Sequence, residues 1–188
     1  MISTEHRDLV KQRKAAGLYN MIPNLFWSVL NLAPVSIFCY RFMDTTIFVV
    51  FQCISLITLF LPRSFFDRIQ IGHTASAYKK TGVQYINRFT QNGDIINRWI
   101  RKKYPQYNVL SAGRRSIQKM IRQTYFFEKF HLFMFIFFSF ATLYALWQHY
   151  FLWALVLTVT NIIYNVYPNL LQQYIRVRLT SSIGKMDN

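Results

Sequence analysis

Glu128 and His131 are the residues in this sequence best placed to do chemistry. Three positions apart on a helix, they share a face. A carboxylate one turn from an imidazole can orient the ring and raise its basicity. The imidazole then takes a proton from a hydroxyl, which becomes the nucleophile of an acyl transfer. The same residues also suit an interfacial role, with Glu128 bridged to Lys129 and His131 as a polar anchor, and spacing alone leaves both readings open. A Glu-x-x-His step supplies iron ligands in a helical bundle only alongside a second such step and two further carboxylates. With seven acidic residues and no second step, the chain is expected to hold no metal. A Gly-rich phosphate loop, a G-x-S-x-G elbow and a Cys–base pair are likewise missing, so no cofactor is expected. Cys39 and Cys53 read as packing residues, His73 as a loop residue and His149 as an interfacial one.

A second polar group lies near the C-terminus. Asn161, Asn165, Pro168, Asn169, Gln172 and Gln173 lead into Tyr174, Arg176 and Arg178. Amides within an apolar helix face a bundle interior and hydrogen-bond there. Pro168 loosens the helix and frees a carbonyl for other partners. Arg176 and Arg178 are the right type to grip phosphate, whether of lipid or of a soluble acyl donor. A plain stop-transfer anchor has the same composition.

Four apolar stretches must position these residues: about 22–40, 45–61, 130–147 and 150–171. A helix needs about 20 apolar residues to cross a hydrocarbon core of roughly 30 Å. The 188 residues are 53% hydrophobic and include 18 phenylalanines, more than a soluble core of this size hides. The expected fold is all-α: a single polytopic membrane domain over 1–188, with four transmembrane helices. Only Gln148 and His149 separate the last two stretches, which therefore form a tight hairpin.

The net charge of +15 sets the orientation. Twenty of the 22 Lys and Arg residues fall in the N-terminal segment, the 62–127 loop or the tail, leaving Arg41 and Lys129. Positive charge resists translocation, so the loop and both termini are expected on the cytoplasmic side of the cytoplasmic membrane. Spread along membrane borders, these charges do not form a nucleic-acid footprint. The loop itself reads as partly helical. Ile95, Ile96, Trp99 and Ile100 form an apolar face amid Arg98, Arg101, Lys102 and Lys103, as in a helix at headgroup level. A further helix is predicted to run unbroken from about Ser116 to Trp147. Turns are expected at Asn92–Asp94 and Tyr104–Pro105.

Two runs carry a family resemblance. The stretch from Asn165 to Leu179, with Pro168, Gln172, Tyr174, Arg176 and Arg178, resembles the C-terminal signature of the glycosyl-4,4'-diaponeurosporenoate acyltransferase family. The run from Thr124 through Glu128 to His131 is similar to that family's motif entering its third span, and Gly82-Val83 with Gly93 to a loop segment. Gln173, Ile175 and Val177 stand where the family has Arg, Asn and Pro. The resemblance covers roughly residues 60–182. It implies a membrane acyltransferase at the cytoplasmic face, moving an acyl group from acyl-CoA or acyl carrier protein to a hydroxyl of a membrane lipid or glycolipid. His131 would then be the general base and Glu128 its orienter, with Arg176 and Arg178 on phosphate. Asn165, Gln172 and Tyr174 would position the acceptor. The residues also fit a non-catalytic membrane subunit or assembly factor, whose basic loop docks a partner or anionic phospholipid.

Overall fold

A computed structural model describes residues 2–86, 93–105 and 114–184. Among them every regular element is helical. Helix α1 (Ile2–Phe42) is followed by α2 (Thr45–Leu56), which tightens into a 3₁₀ turn over Ile57–Phe60. Short helices α3 (Arg63–Arg68), α4 (Ala75–Lys79) and α5 (Val83–Ile86) lead to α6 (Asp94–Lys103). Helix α7 (Arg114–Trp147) then pairs with α8 (Phe151–Asn161), which passes through a π-helical turn, Ile162–Val166, into α9 (Tyr167–Gly184).

Three helical rods are long and apolar enough to cross a membrane: Val10–Phe42, Arg114–Trp147 and Phe151–Gly184. The fourth expected span, Thr45–Phe60, is a shorter apolar helix. At 1.5 Å per residue it reaches about 24 Å, short of a typical hydrocarbon core. The rods present apolar side chains outward, among them Leu143, Leu152 and the 82%-exposed Trp147, as membrane-facing surfaces do.

Local chemistry sets the boundaries. Asp44 caps α2, its carboxylate accepting from the Thr46 and Ile47 amides at 2.8 and 3.2 Å. The α7–α8 turn is a Schellman cap: His149 takes a positive φ of 61°, its N–H reaches the Leu146 carbonyl and the Tyr150 N–H reaches that of Ala145. That cap makes the tight hairpin, three residues joining α7 to α8 where the sequence suggests two.

Helix α7 is central and packs on α2, α8 and α9. Phe38, Phe137, Phe138, Ala141, Ala154 and Leu157 form the larger core towards the hairpin end. Tyr78, Val83, Leu171, Tyr174 and Val177 form a second core, where α4 and α5 lie on α9. Helix α6 spans the residues read as amphipathic, but its apolar face is spent within the protein. Ile96 and Ile100 pack on Ala16 and Tyr19 of α1, leaving Trp99 44% exposed. Asn92, in one expected turn, lies outside the described residues.

Candidate active site

Where α7 crosses α9, two charges are buried together. Glu128 is wholly buried and Arg176 is 4% exposed. Their antiparallel helices bring them face to face, and Arg176 Nη1 donates to Glu128 Oε1. A buried charge is tolerable only when paired and hydrogen-bonded, and the other donors of Arg176 are also used. Nε and Nη2 give to Gln70 Oε1 at 3.2 and 2.8 Å. The guanidinium lies 4.3 Å from the centre of the Tyr125 ring, whose hydroxyl donates to Asp67 Oδ1 at 2.6 Å. Gln70 in turn gives its Nε2 to the Gly72 carbonyl at 2.8 Å. The 69–74 segment is thus pinned across α7 and α9.

A second pin lies beside it. Gln173 is buried, and its Oε1 accepts from the Ile71 N–H at 3.3 Å and faces the Tyr78 hydroxyl at 3.2 Å. That hydroxyl also donates to the Gly72 carbonyl at 3.0 Å. Burial pushes the Tyr78 phenol above its ordinary range, so it stays a neutral donor. Gly72 is required by close packing, since a Cβ there would sit 2.6 Å from Ala77 Cβ.

One turn along α7 from Glu128, the half-buried His131 lies against the Asn165 side chain and the backbone at Tyr164. The π-helical turn makes that approach. Pro168 has no N–H to give to the Tyr164 carbonyl, and the helix widens there, with the Tyr167 N–H reaching back to Ile162. The orientation of Asn165 follows by elimination. Asn161 must give its Nδ2 to the Phe135 carbonyl, at 3.1 Å, because that partner only accepts. Its oxygen therefore accepts from Asn165 Nδ2 at 2.9 Å, which turns Asn165 Oδ1 outward.

Four buried side-chain atoms along these two facing helices have no hydrogen-bond partner: Glu128 Oε2, His131 Nδ1, Asn165 Oδ1 and Asn169 Oδ1. With Glu128 opposite Arg176 and Phe135 opposite Asn161, the antiparallel register sets Asn165 and Asn169 between these two contacts, along the stretch of α7 that holds His131. Unpaired buried polar atoms are rare and costly. Buried acceptors of this kind have their bonding completed by water or by a ligand. Three are carboxylate or carboxamide oxygens, which only accept, so the missing group is a donor such as a hydroxyl.

The family model for glycosyl-4,4'-diaponeurosporenoate acyltransferase matches residues 62–185. The chain belongs to the glycosyl-4,4'-diaponeurosporenoate acyltransferase family. No curated protein and no solved structure matches it. The family segment begins at α3, after α1 and α2, and contains every residue of the network above.

Within that segment the expected site residues separate into two groups. Glu128, His131, Asn165 and Arg176 gather where α7 meets α8 and α9. The expected pairing of Glu128 with His131 is replaced: the carboxylate turns to Arg176, because a buried guanidinium demands a counter-charge. Arg176 is accordingly held inside the protein, with its donors on Glu128 and Gln70. Arg178, also expected on phosphate, is exposed and lies over the Tyr174 ring at 5.5 Å. Tyr174 is buried in the α4–α9 core beside Tyr78, and Gln172 is half-buried. Gln70, Tyr125 and Tyr78 escape a reading of the sequence, since each acts through a partner at least 48 residues away or through a single contact that no local spacing marks.

Proposed function

We propose that this chain is an integral membrane acyltransferase that moves an acyl group from an activated thioester to a hydroxyl of a membrane-embedded glycolipid. The row of unpartnered acceptors around His131 supports this reading most strongly, because a sugar supplies the hydroxyl donors it lacks. His131 Nδ1 takes the proton from one such hydroxyl. The freed oxygen attacks the thioester carbonyl, the C–S bond breaks, and the proton passes from the imidazole to the departing thiolate. Asn165 Oδ1 steadies the ring as it charges. Glu128 and Arg176 act as positioning residues: locked together, they fix α7 against α9 and hold the register between His131 and Asn165.

The chain crosses the membrane four times in this reading, with Thr45–Phe60 the short span. The basic 62–127 loop and both termini lie in the cytoplasm, where the acyl donor is, acyl-CoA or acyl carrier protein. Arg178 on the exposed edge of α9 meets donor or lipid phosphate, and the basic face of α6 meets anionic phospholipid.

The test is His131→Ala in purified full-length protein supplied with radiolabelled acyl-CoA and a glycolipid fraction. Acyl transfer is expected to fall by roughly 10²–10⁴-fold, the contribution of a general base, while the melting transition stays in place. Undiminished transfer in the variant refutes the assignment of His131, and a wild-type protein without transfer refutes the enzyme reading.

A further inference from the structure

An apolar groove of about 440 Å³ runs along the outside of the bundle between α1 and α8. Val29, Leu30, Ala33, Pro34 and Ile37 form one wall, and Leu152, Trp153 and Val156 the other. Its breadth follows from sequence, since Ala33 and Pro34 are the small and the rigid residue on the α1 wall. Its position links it to the site described above. Trp27, two residues before the groove begins on α1, stacks on Tyr164 with ring centroids 5.7 Å apart. Tyr164 is also the residue whose backbone meets His131. Further along, Phe38 packs on Trp153, with centroids 5.8 Å apart. On α1 the groove starts just past Trp27 and runs for about 12 Å at 1.5 Å per residue, and its α8 wall begins about 12 Å beyond Tyr164.

We propose that this groove seats part of the acyl chain of the substrate, with Trp27 and Tyr164 at the end nearer His131. The inference rests on the acyl-transfer reading and adds where the chain lies. An acyl carbonyl beside His131 must send its chain somewhere apolar. A groove of this volume lies within the usual range for a small-molecule site and suits a segment of one unbranched chain, whose remainder runs along the apolar outer surface of the bundle. Since α1 precedes the matched family segment, chain selection here falls to a part of the protein outside it.

Photolabelling tests this without turnover. The full-length protein in phosphatidylcholine nanodiscs is irradiated with palmitoyl-CoA carrying a diazirine on its acyl chain, and labelled peptides are mapped by mass spectrometry. Label is expected on residues 29–37 and 152–156, displaced by unmodified palmitoyl-CoA. Ala33→Trp fills the groove and should cut labelling by roughly tenfold. Leu143→Trp, at a 61%-exposed apolar position on α7 away from the groove, should leave it unchanged. Label confined to other helices, or equal in Ala33→Trp, overturns the proposal. Label that palmitoyl-CoA does not displace also overturns it, because the groove then holds ordinary bilayer lipid. Labelling that persists in His131→Ala separates the two readings. Label in the groove without wild-type turnover sinks the enzyme reading alone, and turnover with label elsewhere sinks the groove alone.

Discussion

The Glu128–Arg176 pair allows a quantitative test of what holds the site together. Glu128→Leu leaves a guanidinium at 4% exposure with the Gln70 oxygen, the Tyr125 ring and the more distant Asp67 carboxylate for company. Removing one partner of a buried ion pair costs about 3–5 kcal/mol, because the remaining charge stays desolvated without compensation. For a chain of this size each kcal/mol moves the melting temperature by about 2–4 °C, so the expected drop is roughly 6–20 °C. Arg176→Met alone should cost a similar amount, since it strands the Glu128 carboxylate. Glu128→Leu combined with Arg176→Met removes both charges and fills the space with apolar atoms, and such exchanges are often neutral. The double variant should therefore melt near the wild type, which corresponds to a coupling energy of about 6–10 kcal/mol given losses of about 3–5 kcal/mol in each single variant. Thermal unfolding followed by circular dichroism in detergent, for all four proteins of the cycle, measures it. Single variants that lose under about 1 kcal/mol would place the pair among solvent-screened bridges. Strictly additive losses would show that the two residues act separately. Either result refutes the lock.

Two further outcomes follow from the same geometry. Gln173→Leu removes the acceptor of the Ile71 N–H and a partner of the buried Tyr78 hydroxyl, costing about 1–3 kcal/mol. Hydrogen exchange at Ile71 and Gly72 should quicken well before the rest of α9, and unchanged exchange there would remove Gln173 as the second pin. For topology, a chain with Cys39 and Cys53 replaced by Ala receives one new cysteine at a time. A membrane-impermeant maleimide added to intact cells should react with Gln148→Cys and spare Lys80→Cys, and the opposite pattern would invert the proposed orientation.

Much of the fold is legible in the residues because it is local. Apolar runs, a capping Asp44 and an unbroken stretch from Arg114 to Trp147 act over a few turns, and the helices form where periodicity and caps place them. The amide-rich face of the α8–α9 rod and the loosening at Pro168 are readable for the same reason, and the latter appears as a π-helical turn. Helix α6 is legible as amphipathic but not in its partner, since an apolar face buries equally well against lipid or against α1. The length of the second apolar helix is likewise plain in the sequence, whereas its place against α7 is not.

What the tertiary structure alone decided is who meets whom. From spacing, Glu128 has His131 as its natural neighbour, three residues away. The folded chain gives it Arg176, 48 residues on, and gives Arg176 the side chain of Gln70, 106 residues back. No local signal weighs these partners, because the choice depends on the energy of desolvated charges, which exists only once packing has excluded water. The direction of the Asn165 carboxamide is of the same kind, fixed through Asn161 by one carbonyl on α7. The sequence by itself thus determined the helices and the polar residues they carry. The antiparallel register of α7 with α8 and α9 decided which of those residues became a site, since burial turns weak polar preferences into obligatory partners.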